Sequence, residues 1–76
     1  MTINIKDTLI LDDDNEYVVI SKIQYENIKY YYLLDKNNIK EKFCYQEKDE
    51  LVELTDKDLT TKLLPLFLEE AKKEMN

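Results

Sequence analysis

Residues 17–34 read YVVISKIQYENIKYYYLL, and this stretch decides the fold. Val18, Val19, Ile20 and Ile23, with the tyrosines, suit a pleated strand. Glu26-Asn27 interrupts the run as a two-residue turn. With no Gly in the chain, Asn27 is the natural position for φ > 0. The stretch therefore predicts a strand over 17–25 paired with a strand over 28–34. In each arm the apolar side chains fall on both parities. Val18 and Ile20 stand against Tyr17, Val19 and Ile23; Tyr30, Tyr32 and Leu34 stand against Tyr31 and Leu33. Both faces of this central hairpin are partly apolar, as in strands covered on two sides.

Upstream, Thr8–Leu11 is a short apolar run. Asp12-Asp13-Asp14-Asn15 follows it as a turn, because Asp and Asn cap their own backbone and tolerate left-handed φ. The run should pair with 17–25. Downstream, Asp35-Lys36-Asn37-Asn38 makes a third turn. Residues 40–47 then alternate, with Phe43 and Tyr45 on one face and Lys42, Cys44 and Gln46 on the other. Lys48-Asp49-Glu50 turns again before a last short strand over 51–54. Thr55-Asp56-Lys57-Asp58 resembles a capping box. Leu59, Leu63, Leu66, Phe67 and Ala71 recur at helical spacing. Pro65 deletes a helical hydrogen bond, at a cost of about 3 kcal/mol. Either the helix kinks there or a second helix starts with Pro65 in its first turn.

These elements predict one α+β domain over residues 1–76: an antiparallel β-meander of four to five strands, then a C-terminal helix. Leu59, Leu63, Leu66 and Phe67 would pack that helix on one sheet face. A small curled barrel capped by the helix is the alternative. One helix covers one face, so the other must curl or stay exposed as a tyrosine-rich surface.

Composition narrows the chemistry. The chain has 76 residues, 17 acidic and 11 basic, all of the basic ones Lys, for a net charge of −6. Absence of His removes the commonest general base and metal ligand. Without Gly there is no phosphate-cradling loop of known pattern, and without Arg there is no bidentate phosphate clamp. Net negative charge opposes direct binding to nucleic acid or anionic lipid. A chain this small buries only about 60% of its unfolded surface, which leaves little room for a catalytic cleft. We therefore expect no enzyme activity, no catalytic residue, no cofactor and no metal. One Cys excludes an internal disulfide and suits a reducing cytosol. The start lacks a signal-peptide apolar run and no stretch is long enough to span a bilayer, so the expected location is cytoplasmic.

The segments TLILDDDNEYVVISKIQYENIKYYYLL at 8–34 and ELVELTDKDL at 50–59 resemble the domain-of-unknown-function family 1292, small acidic proteins of Gram-positive bacteria. The likeness covers roughly three-quarters of the chain. It lies in strand and turn composition rather than in catalytic motifs. It departs in the missing turn glycines and in a more basic middle segment (Lys36, Lys40, Lys42). The resemblance implies a β-then-α architecture and no established activity.

Three groups of residues are candidates for contact with a partner. Asp12 to Glu16 place oxygens at alternate positions, but without the Gly and distal Glu of a calcium loop they read as a solvated hairpin turn. The six tyrosines supply either core and cross-strand packing or an interface with high contact area. Cys44 lacks a cationic or His neighbour in sequence and reads as inert. The sequence thus points first to a protein-binding module that uses the sheet face opposite the helix, with Tyr17, Ile23 and Tyr31 as anchors. Second is an acidic inhibitor or decoy, of phage or mobile-element type, against a basic nucleic-acid enzyme; it would use Asp12, Asp13 and Asp14. DNA carries one charge per ~1.7 Å, and the interspersed lysines dilute that mimicry. Third is a structural homo-oligomer, the simplest form being a homodimer, because an exposed sheet edge invites pairing.

Overall fold

The computed structural model describes residues 3–37 and 39–75, with side chains as far as residue 73. Asn38 of the expected third turn lies outside the described residues. Five strands form one antiparallel sheet in chain order: β1 (Thr8–Ile10), β2 (Glu16–Tyr25), β3 (Ile28–Asp35), β4 (Glu41–Glu47) and β5 (Glu50–Glu53). Helix α1 (Lys57–Met75) follows and packs on the sheet. This is the expected α+β meander. The sheet also curls, because Leu9 of β1 and Leu51 of β5 both fold onto the same buried cluster at its centre.

Tight turns hold the meander together without glycine. Glu26 and Asn27 both take left-handed backbone, at φ 50° and 67°. That pair is what a type I′ hairpin demands, since its twist matches the strands it joins. Lys6, Asp14, Ile39 and Lys48 are left-handed as well. In a β-branched residue such as Ile39 this conformation is a genuine outlier.

One irregularity in β2 sorts the core into two layers. The β2–β3 register runs Val19↔Leu33 and then Ser21↔Tyr32, so Ile20 is an extra residue in a β-bulge. A bulge shifts the pleat by one residue and exchanges the faces beyond it. Tyr17 and Val19 consequently join Tyr31, Leu33, Cys44 and Ile3 on the side away from the helix. Beyond the bulge, Ile23 joins Tyr30, Leu63 and Phe67 under the helix.

The helix side is the drier layer. Leu63 and Phe67 are fully buried. Tyr32 stacks on Phe43 at 4.9 Å between ring centroids, and Phe67 tilts against both. The buried Ser21 hydroxyl donates to the Phe67 carbonyl at 2.9 Å, tying strand to helix. Three details of the helix correct the sequence reading. Its N-cap is Asp56, whose carboxylate accepts from the Leu59 amide at 3.1 Å, so Thr55 closes no capping box. Leu66 stays 37% exposed, because it lies about 100° around the helix from Phe67, at the margin of the stripe. At Pro65 no second helix starts, since one helix spans Lys57–Met75. Pro65 and Thr61, whose carbonyl loses its partner, are both on the exposed side, where water can replace the lost bond. No helix among the described residues is long and apolar enough to cross a membrane.

Candidate functional site

The side away from the helix is closed at its centre and open at its margin. The segment before β1 crosses it. The Lys6 amide donates to the Val19 carbonyl at 2.8 Å, and the Val19 amide to the Asp7 carbonyl at 2.9 Å. Ile3 is thereby pressed into the core, and the Lys22 ammonium holds its carbonyl at 3.1 Å. Beside this cover runs an open groove of about 790 Å³. Its apolar lining is Ile3, Leu9, Leu11, Cys44 and Leu51. Its rim carries four carboxylates, those of Asp12, Asp13, Glu50 and Glu53, against the single ammonium of Lys42.

Lys42 organises the mouth of the groove. Its Nζ lies 3.1 Å from Asp13 Oδ2 and 3.9 Å from Glu53 Oε1, and 5.1 Å over the Tyr17 ring. The Tyr17 hydroxyl donates to Asp13 Oδ2 at 2.7 Å, and the Asn15 amide to Asp13 Oδ1 at 3.0 Å. Asp13 sits in the β1–β2 turn and Lys42 in β4, so this contact reaches across the curl of the sheet. The bond from Tyr17, then the Asn15 amide and Lys42, hold the Asp13 carboxyl well below the usual carboxylate range. The same carboxylate, together with burial, raises the Tyr17 phenol. Burial opposes the Lys42 charge, but hydrogen bonds to Asp13 and Tyr17 and the nearby Glu53 outweigh it and raise its pKa. The groove mouth thus carries fixed charges at neutral pH. Burial pushes the Cys44 thiol up to about 11, which leaves it a neutral, unreactive part of the floor.

The residues singled out from sequence are not brought together as expected. Tyr17 and Tyr31 are only 3% and 2% exposed, so they pack the core rather than anchor a surface. Ile23 is on the opposite face, half-buried against the helix. The bulge at Ile20 is the reason: parity counted straight through β2 places Tyr17 and Ile23 together, whereas the chain separates them. Of the acidic turn, Asp12 and Asp14 are exposed and Asp13 is engaged by Tyr17 and Lys42. Among the described residues no three His, Cys, Asp or Glu side chains converge as a metal-binding group.

The sequence reading missed Leu9, Leu51, Lys42, Glu50 and Glu53 as a set. Their common feature was partly available, since Lys42 and Cys44 alternate onto one face of β4. What linked them was the curl, which no local pattern encodes. Comparison with known proteins adds no relative: no family model, no curated protein and no solved structure matches this chain.

Proposed function

We propose that this chain is a non-enzymatic module that binds a protein partner through the groove on the helix-free side of the sheet. One observation carries the reading: an apolar floor lies open between the two outer strands, rimmed by four carboxylates and one lysine. Apolar area left open next to a charged rim is the usual form of an interaction site. Tyr17 and Tyr31, buried in the cluster beneath, are its rigid support. The resemblance of segments 8–34 and 50–59 to the domain-of-unknown-function family 1292 belongs to the same proposal and assigns it no chemistry.

The test is capture from cell extract on immobilised protein, with three chains compared. Wild type and Lys72→Glu, a change on the exposed helix surface, should retain the same partner. Leu51→Glu, which places a charge on the groove floor, should lose it. Equal capture by all three would remove the groove from the proposal. Light scattering on the purified chain separates a heterologous partner from a homo-oligomer. The decoy reading stands second, favoured by the exposure of Asp12, on the groove rim, and of Asp14 in the same turn. It predicts that a captured nucleic-acid enzyme elutes with rising salt, because exposed charge pairs are screened.

A further inference from the structure

Resting on the binding-module reading, we infer that the occupant of the groove is an extended segment of a partner protein that alternates basic and apolar residues. It lies between β1 and β5 and pairs with both as an added strand.

The argument begins with the edges. β1 and β5 are the two ends of the sheet order, and each pairs on one side only. In an antiparallel ladder alternate residues point their amide and carbonyl toward the partner strand, and the others point away. The Leu11 amide donates to the Asn15 carbonyl, which fixes the parity of β1. Leu9 then faces β2, while Thr8 and Ile10 direct their backbone groups outward. On the other side the Leu54 amide donates to the Phe43 carbonyl, and the same parity turns Leu51 and Glu53 outward. Residues of both edges line the one groove.

The direction of the strands also matters. Five strands joined by antiparallel pairings put β1 and β5 parallel to each other. They cannot pair with one another antiparallel. A single segment running the opposite way would be antiparallel to both, and would extend the meander to six strands. Strand addition of this kind takes affinity from backbone bonds and specificity from alternate side chains.

Charge and apolarity select the segment. Side chains turned inward would meet Leu9, Cys44 and Leu51. Asp12, Asp13 and Glu53 border one end of the groove and Glu50 the other, so lysines or arginines beside the apolar positions meet carboxylates at both ends. Ile10 remains 73% exposed on the edge it would share with the new strand. β1 and β5 span three and four residues, so the paired part of the segment is short.

The experiment uses the full chain and a synthetic heptapeptide, Lys-Val-Lys-Val-Lys-Val-Lys with blocked ends, followed by amide NMR and hydrogen exchange. The expected result is binding in which the Thr8, Ile10, Leu51 and Glu53 amides become protected. Methylating alternate peptide nitrogens should weaken binding about tenfold or more, from the loss of backbone bonds. The exposed double variant Asp12→Lys/Glu50→Lys should weaken it comparably, and a Glu-Val peptide should not bind. Binding that leaves those four amides unprotected, or that survives nitrogen methylation, overturns strand addition; so does protection of the same amides by self-association alone. If capture in extract still depends on Leu51 in those cases, the module reading stands and only its strand-pairing mode fails.

Discussion

Phe67 and Leu63 seal the helix side of the sheet with fully buried apolar carbon, and the aromatic rings of Tyr32 and Phe43 pack tightly against Phe67. The other side is closed at its centre by Tyr17, Val19, Tyr31 and Leu33, then gives way to a groove with charged lips. The fully buried apolar carbon is thereby concentrated on one face of a thin sheet, and on the proposed reading recognition falls to the other. A domain this small cannot hollow out its core to make a site. Two strand edges left apart would supply one without removing buried area.

The largest test of that division is Phe67→Ala. Removing a fully buried aromatic costs about 3–5 kcal/mol, a large part of the stability available to a small domain. Denaturant unfolding should show it, whereas Leu51→Glu in the groove should leave the midpoint much closer to wild type. Comparable losses from the two would mean that the groove lining is core.

Alkaline pH sharpens the comparison, because both layers bury acids that are neutral in the folded state. Burial, then the bond to Glu41, raises Tyr32 from 10.0 to about 12. Burial raises Cys44 from 9.0 to about 11. A raised folded pKa means that the folded state holds its proton more tightly. The associated stability is complete below the unfolded pKa and is lost as pH rises through the folded one. Stability should therefore fall between about pH 9 and pH 12. Cys44→Ala should flatten the lower part of that fall and Tyr32→Phe the upper part. A flat profile across this window would contradict the burial of both groups.

Smaller effects follow at the joints. Ser21→Ala removes the hydroxyl that reaches the helix and should cost about 1 kcal/mol. Tyr17→Phe, on the other face, should instead be read at Asp13: its carboxyl pKa should rise toward the ordinary value by NMR titration, with the helix amides unmoved. Smallest is Ile39→Gly. Ile39 is 78% exposed and left-handed, so glycine should relieve backbone strain and stabilise by up to about 1 kcal/mol.

The strands, turns and helix were legible in the sequence because each is a local pattern. Asp12–Asn15 and Glu26-Asn27 carry turn chemistry, and Leu59, Leu63 and Phe67 repeat at the helical period. Face assignment was legible in β3 and β4, where alternation is uninterrupted. It failed in β2, where mixed parity at Tyr17–Ile23 was read as two apolar faces on one regular strand. The bulge that explains the mixture is fixed by pairing with β3, a partner the local pattern does not contain. The groove was illegible for a related reason. Asp13 and Lys42 are 29 positions apart and meet only because strand twist accumulates into a curl.

The unpaired Ile20 has a consequence for how this chain tolerates change in length. A regular strand that loses one residue exchanges inside for outside along everything beyond the cut. β2 already contains one such exchange, and its two halves are out of phase by design of the pairing. Deleting Ile20 would remove the bulge and leave one uninterrupted alternation, with Val19 still opposite Leu33 and Ser21 still opposite Tyr32. Tyr17 and Val19 would keep the groove side, and Ser21 and Ile23 the helix side. The same loss inside β3, which carries no extra residue against β4, would exchange the faces of everything beyond the cut. The bulge is therefore a place where this sheet can shorten without turning inside out.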